Sequence, residues 1–162
     1  MVGPLRLDPT DARRRFDAAR QLIEGTSSLS TFAGTLDRID DSLRSALSAR
    51  SQLLATLGQI DAAGIDRELK QALRRLGKDA PEVRMMQERR QVVIELHDEI
   101  DDVDEHVHRT ILDVEALAAR GAATAPRPSA TDELTRNMAE DLTLLKADTA
   151  ALEAARRELE GL

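Results

Sequence analysis

The chain has 162 residues, 33% of them charged, and its 23 Lys/Arg against 30 Asp/Glu give a formal net charge of −7. With no Cys, no Trp, no Tyr and two Phe, it excludes disulfides and thiolate chemistry and has too few aromatic side chains to fill a sheet-layered core. The remainder, rich in Leu, Ala, Arg, Asp and Glu, is the composition of long helices, and the acidic balance points away from nucleic acid as a partner.

Charge is unevenly spread. Residues 1–78 hold 13 Lys/Arg and 10 Asp/Glu, whereas residues 79–162 hold 10 and 20. Such asymmetry lets two halves pair, or offers an acidic face to a basic partner. The start, Met1 to Arg6, has no apolar core of a secretory signal, and residues 1–8 read as a flexible N-terminus. The longest uninterrupted apolar run is Ala116 to Ala119, far short of a membrane span. The expectation is a soluble, cytoplasmic protein.

The first helix is predicted over 9–24. Asp8 can cap it, Pro9 suits the first helical position, and Ala12, Phe16, Ala19 and Ile23 recur at helical spacing before Gly25. A long seam follows in alternating steps of three and four: Leu29, Phe32, Leu36, Ile39, Leu43 and Ala46, then Leu53, Leu57 and Ile60. Arg50 is the one charge in that seam, where it reads as a register or partner-choosing residue. Ala33, Leu47 and Leu54 widen the stripe, which favours a bundle with several neighbours. Gly64 marks a break, beyond which Ile65, Leu69, Leu73 and Leu76 form a shorter helix ended by Gly77, with Lys70, Arg74, Arg75 and Lys78 near its C-terminal end. Periodicity leaves open whether 30–76 is one bent helix or two.

Asp79 or Ala80 is expected to cap the next helix, with Pro81 in its first turn. Its seam runs through Met86, Val93, Leu96, Ile100, Val103, Val107, Val114 and Leu117 to Gly121. Residues 121–131 read as a Pro/Ala linker. A last helix over 132–162, with Ser129, Thr131 or Asp132 as cap, carries Leu134, Met138, Leu142, Leu145, Leu152 and Leu159 and docks on the bundle or on another chain. The fold expected is all-α: an elongated antiparallel helical bundle or coiled coil of three to five helices, with residues 9–120 as its long-helix body.

Phosphate-loop, dinucleotide and nucleophile-elbow motifs are absent from the sequence, and no cofactor or small-molecule substrate is expected. One stretch, Glu95 to His108, holds all three histidines and a dense set of carboxylates. Glu105 and His108 have the spacing of a carboxylate-bridged metal helix, and Asp102 with His106 share a face, so these four are the candidate metal ligands. No second Glu-x-x-His completes such a site, and a solvated acidic face explains the run more simply.

Asp98, Asp101, Asp102, Asp104 and Glu105, together with Leu142, Leu145 and Leu152, are the candidate partner contacts. Arg13, Arg14 and Arg15 beside Phe16 form the candidate membrane surface, because an amphipathic basic helix can lie on anionic lipid. In the order of its elements, a short amphipathic helix ahead of long acidic ones, the chain is similar to the phage-shock membrane-remodelling proteins. No family is assigned from that likeness. The expected function is a non-enzymatic coiled-coil interaction protein, a scaffold, adaptor or subunit, binding a protein partner or itself through helices. The alternatives are a self-assembling peripheral membrane protein using the first helix, and a metal-binding bundle.

Overall fold

A computed structural model describes residues 6–122 and 128–160. The fold is an all-α bundle: α1 (Pro9–Glu24), a 3₁₀ turn (Ser27–Phe32), α2 (Ala33–Gly58), α3 (Ala62–Leu76), α4 (Pro81–Gly121) and α5 (Pro128–Glu160). At about 1.5 Å per residue, α4 alone is about 60 Å long, which sets an elongated shape.

Local chemistry explains most boundaries. The Asp8 carboxylate accepts from the backbone N–H of Thr10 at 2.9 Å and of Asp11 at 3.3 Å, and Pro9 begins α1. The seam expected from Leu29 starts in a tighter path. Ser27, Ser28, Ser30 and Thr31 are weak helix formers, and α2 begins at Ala33. Residues 30–76 are two helices, broken between Gly58 and Ala62, where Asp61 caps α3 by accepting from the Gly64 N–H at 2.8 Å. A Cβ at Gly64 would come within 2.3 Å of Asp61 Oδ2, so the glycine makes room for that cap. Gly77 ends α3 at φ +80, which a side chain resists.

Of the two caps expected for α4, Ala80 holds the position, in extended conformation and without a side-chain hydrogen bond, and Pro81 starts the helix. One expected boundary differs. α5 begins at Pro128, since proline suits a first helical turn, so Ser129, Thr131 and Asp132 lie inside the helix. Of the expected linker, Gly121 closes α4 and 123–127 lie outside the described residues.

Side-chain pairs fix the directions. Arg15 with Glu115, and Leu7 with Asp104, set α1 parallel to α4. Arg13 with Asp40 and Arg20 with Asp37 set α1 antiparallel to α2, so α2 runs antiparallel to α4, and His106 with Asp148 and Arg109 with Asp141 set α5 antiparallel to α4 as well. α5 packs against both α2 and α4. Phe16 and Ile23 of α1, Leu36, Ile39 and Leu53 of α2, Val107 and Val114 of α4, and Leu145 and Leu152 of α5 are all fully enclosed. Each such side chain contributes about 1.5–3 kcal/mol, so this seam drives the fold.

The bundle does not cover all of α4. From Asp148 to Glu160 is the same distance along α5 as from His106 back to Ile94 along α4. α4 before Ile94 therefore projects beyond the end of α5, roughly 20 Å of helix. α3 pairs with that extension, antiparallel, through the Asp66–Arg90 ion pair and a small separate core of Leu69, Ala72 and Val83, while Val92 and Val93 at its base still pack against the main core. The result is a two-helix arm.

Candidate functional site

The acidic run of α4 divides between two faces. Asp98, Asp101, Asp102 and Glu105 are exposed, and none of them has a cation partner among the described residues. Asp104 turns inward instead. Its carboxylate takes a bidentate pair from Arg50, whose Nη2 lies 3.0 Å from Oδ2, and it accepts from the Leu7 N–H at 3.4 Å. Arg50 also donates to the Leu7 carbonyl at 3.2 Å. With Arg50 6% exposed, Asp104 is a clamp within the chain rather than a contact for a partner, and Leu7 is held where a flexible N-terminus was expected. The sequence could not assign this pairing because Arg50 and Asp104 are distant along the chain.

The metal candidates do not converge. Asp102, Glu105 and His108 are exposed, and His106 Nδ1 lies 2.6 Å from Asp148 Oδ2. Among the described residues no group of three or more His, Asp or Glu side chains is placed to hold a metal ion.

The membrane candidates are engaged as well. Phe16 is fully buried, and Ala12, Ala19 and Ile23 turn into the core with it. Arg13 pairs with Asp40 at 2.5 Å, Arg15 with Glu115 at 2.7 Å, and Arg14 with Asp11. The hydrogen bond from Arg15 holds the Glu115 carboxyl below its usual range. The apolar face that a lipid surface would take is thus the face that packs the bundle. No helix among the described residues is long and apolar enough to cross a membrane.

Leu142, Leu145 and Leu152 are core residues of this chain, buried where α5 meets α2 and α4, and are closed to a partner. The same interface holds polar groups that periodicity did not single out. Asp141 is 1% exposed, neither of its oxygens has a hydrogen-bond partner, and Arg109 Nε stands 3.5 Å away. Burial pushes the Asp141 carboxyl up to about 8, the adjacent Asp113 carboxyl adds to the rise, and Arg109 opposes it. Glu99 is raised too, first by burial and then by Glu158, Asp102, Glu95 and Asp148. Glu99, His106 and Asp113 are seven apart on α4, as are Asp141 and Asp148 on α5. A spacing of 138, 141, 145, 148 and 152 was the available signal: the two aspartates fill seam positions.

Unmatched carboxylates lie where α4 is left bare. Val83, Met86 and Arg90 face α3, while Asp104, Ile111 and Glu115 on the same side of α4 face α1. Between those coverings sit Ile94, His97, Asp98 and Asp101, all exposed. Arg6 and Asp8, just ahead of α1, and Asp11 in its first turn edge this gap beside Asp101 and Glu105. On the arm, the outer face of α3 carries Arg67, Lys70 and Arg74, with Lys78 beyond; all four are exposed. Leu76 and Met85, 55% and 62% exposed, stand at the arm's tip.

No protein-family model matches the chain, and neither does any curated protein or any solved structure.

Proposed function

We propose that this chain is a non-enzymatic helical interaction protein, a scaffold, adaptor or subunit that works by packing a further helix against its own. One observation carries the reading: the gap on α4 between α3 and α1, where Ile94, 38% exposed, lies among carboxylates without cation partners. A helix face flanked by two bound helices has the shape and spacing to take a third. Unpaired like charges along it favour a partner of opposite sign.

The test is a native pull-down in mild detergent, with mass spectrometry of what stays bound, comparing wild type with Ile94→Asp plus Asp101→Lys. Both positions are exposed, so the variant retains the bundle. The expected result is a stoichiometric protein, another chain or further copies of this one, held by wild type and lost from the variant. Equal recovery by both proteins, or recovery of lipid alone, would overturn the proposal.

A further inference from the structure

The interaction reading above leaves the partner open, and the register of the arm narrows it. Resting on that reading, we infer that the gap on α4 takes α3 of a second copy of this chain, in a two-fold symmetric dimer centred near Ile94.

Three observations converge. The first is spacing. Arg67, Lys70 and Arg74 on α3 follow one another at three and four residues, and so do Asp98, Asp101 and Glu105 on α4. The two rows have opposite sign and equal length, about 10 Å each.

The second is position. Asp66 pairs with Arg90 between antiparallel helices, which sets Arg67, Lys70 and Arg74 beside α4 residues 89, 86 and 82. A point midway between Val93 and Ile94 lies as far from those three levels as it does from Asp98, Asp101 and Glu105. A two-fold axis across α4 at that point therefore brings all three cations of one copy level with all three carboxylates of the other. It also reverses α3 relative to the partner's α4, so the rows run in the same direction and the pairs meet in order. By symmetry both gaps fill at once, which closes the assembly at two copies.

The third is that the rows cannot satisfy each other within one chain. Lys70 and Arg74 have no ion pair among the described residues, and Arg67 reaches only Asp61, at 3.6 Å. Their row points away from the α4 to which α3 is bound, and it lies on the opposite side of Ile94 from the carboxylates. Most arginines of α1, by contrast, find carboxylates on neighbouring helices. Ile94 lies at the centre of the contact, where each copy offers one apolar side chain inside a charged rim.

The experiment uses the full chain. Mass is followed by light scattering with refractive-index detection, since the protein has no Trp or Tyr to absorb. Wild type is expected to be a dimer at low ionic strength and to shift toward monomer in high salt, as screened charge pairs weaken. Arg67→Glu with Lys70→Glu and Arg74→Glu is expected to be a monomer. So is Asp98→Lys with Asp101→Lys and Glu105→Lys. Mixing the two variants restores both contacts and is expected to give a one-to-one dimer. Helix content by circular dichroism is expected to be the same in all, because every substituted side chain is exposed.

A wild-type monomer at low salt, a dimer indifferent to both reversals, or an open assembly larger than two would overturn the inference. These outcomes are separable from failure of the broader reading. If wild type is monomeric but the pull-down still yields a protein lost from the Ile94 variant, the self-pairing alone falls. A monomer that retains nothing there removes both.

Discussion

Arg109 of α4 reaches, through Nε, to 3.5 Å from the buried Asp141 carboxylate of α5, and the neighbouring Asp113 carboxyl of α4 raises that same group. Two carboxylates so placed cannot both ionise cheaply, so the pair keeps a proton where a free aspartate has lost it. One heptad further, His106 and Asp148 meet at the same interface. The contact between α4 and α5 is thus made of apolar packing interrupted by titratable side chains.

This pair gives stability a pH dependence with a definite sign. Below the ordinary value of 3.8, Asp141 holds its proton in both folded and unfolded chains. Between there and about 8 only the folded chain holds it, so stability falls as pH rises through that window and levels off above it. The rise at Glu99 acts in the same direction. Asp40, held low by Arg13 and Arg44 against its burial, and Glu115 act at more acid pH, where protonation removes their stabilisation. Urea denaturation from pH 4 to 8 is expected to show a decline that Asp141→Asn flattens. At pH 8 the variant is expected to be the more stable of the two, because an amide carries no charge for burial to oppose.

Breaking the Arg50–Asp104 clamp strands a charge. Arg50→Met is expected to cost about 3–5 kcal/mol, because Asp104 remains enclosed without its partner. Arg50→Met combined with Asp104→Leu is expected to recover most of that loss, as apolar replacements of buried ion pairs do. Chemical denaturation of the two single variants and the double variant closes the cycle. In Arg50→Met the segment at Leu7 loses its carbonyl contact, and proteolysis near it is expected to quicken.

Glycines of the chain are expected to split by environment. Gly34 and Gly58 lie in α2 with open space where a Cβ would stand, so Ala there is expected to stabilise by about 0.4–1 kcal/mol. Gly77 has equal space but φ +80, so Gly77→Ala is expected to destabilise by about 1 kcal/mol. Thermal melts of the three single variants give the comparison.

The arm is expected to open apart from the bundle. Its core of Leu69, Ala72 and Val83 is separate from the main one and far smaller. Hydrogen exchange is expected to be faster in α3 and at the start of α4 than in α2 or the centre of α4. Val83→Ala is expected to speed exchange there, loosening the arm by about 2 kcal/mol while leaving the protection of α2 unchanged.

The helices themselves were legible in the sequence. Asp8 and Pro9 marked the start of α1, and the steps from Leu36 to Leu57 gave α2 its buried face, because capping and periodicity are local properties of the chain. What periodicity cannot specify is which helix covers a given face. Phe16 with its arginines has the same pattern whether lipid or α4 receives it, and Leu145 the same pattern whether its neighbour is its own α2 or another chain. Asp104 and Asp101 look alike in a run of acids, yet one is enclosed by Arg50 and the other faces water. Composition and spacing determined an elongated all-helical protein. Tertiary packing alone decided which charges meet inside it, and which are left unmatched on α3 and α4, because that choice depends on contacts between residues far apart in the chain.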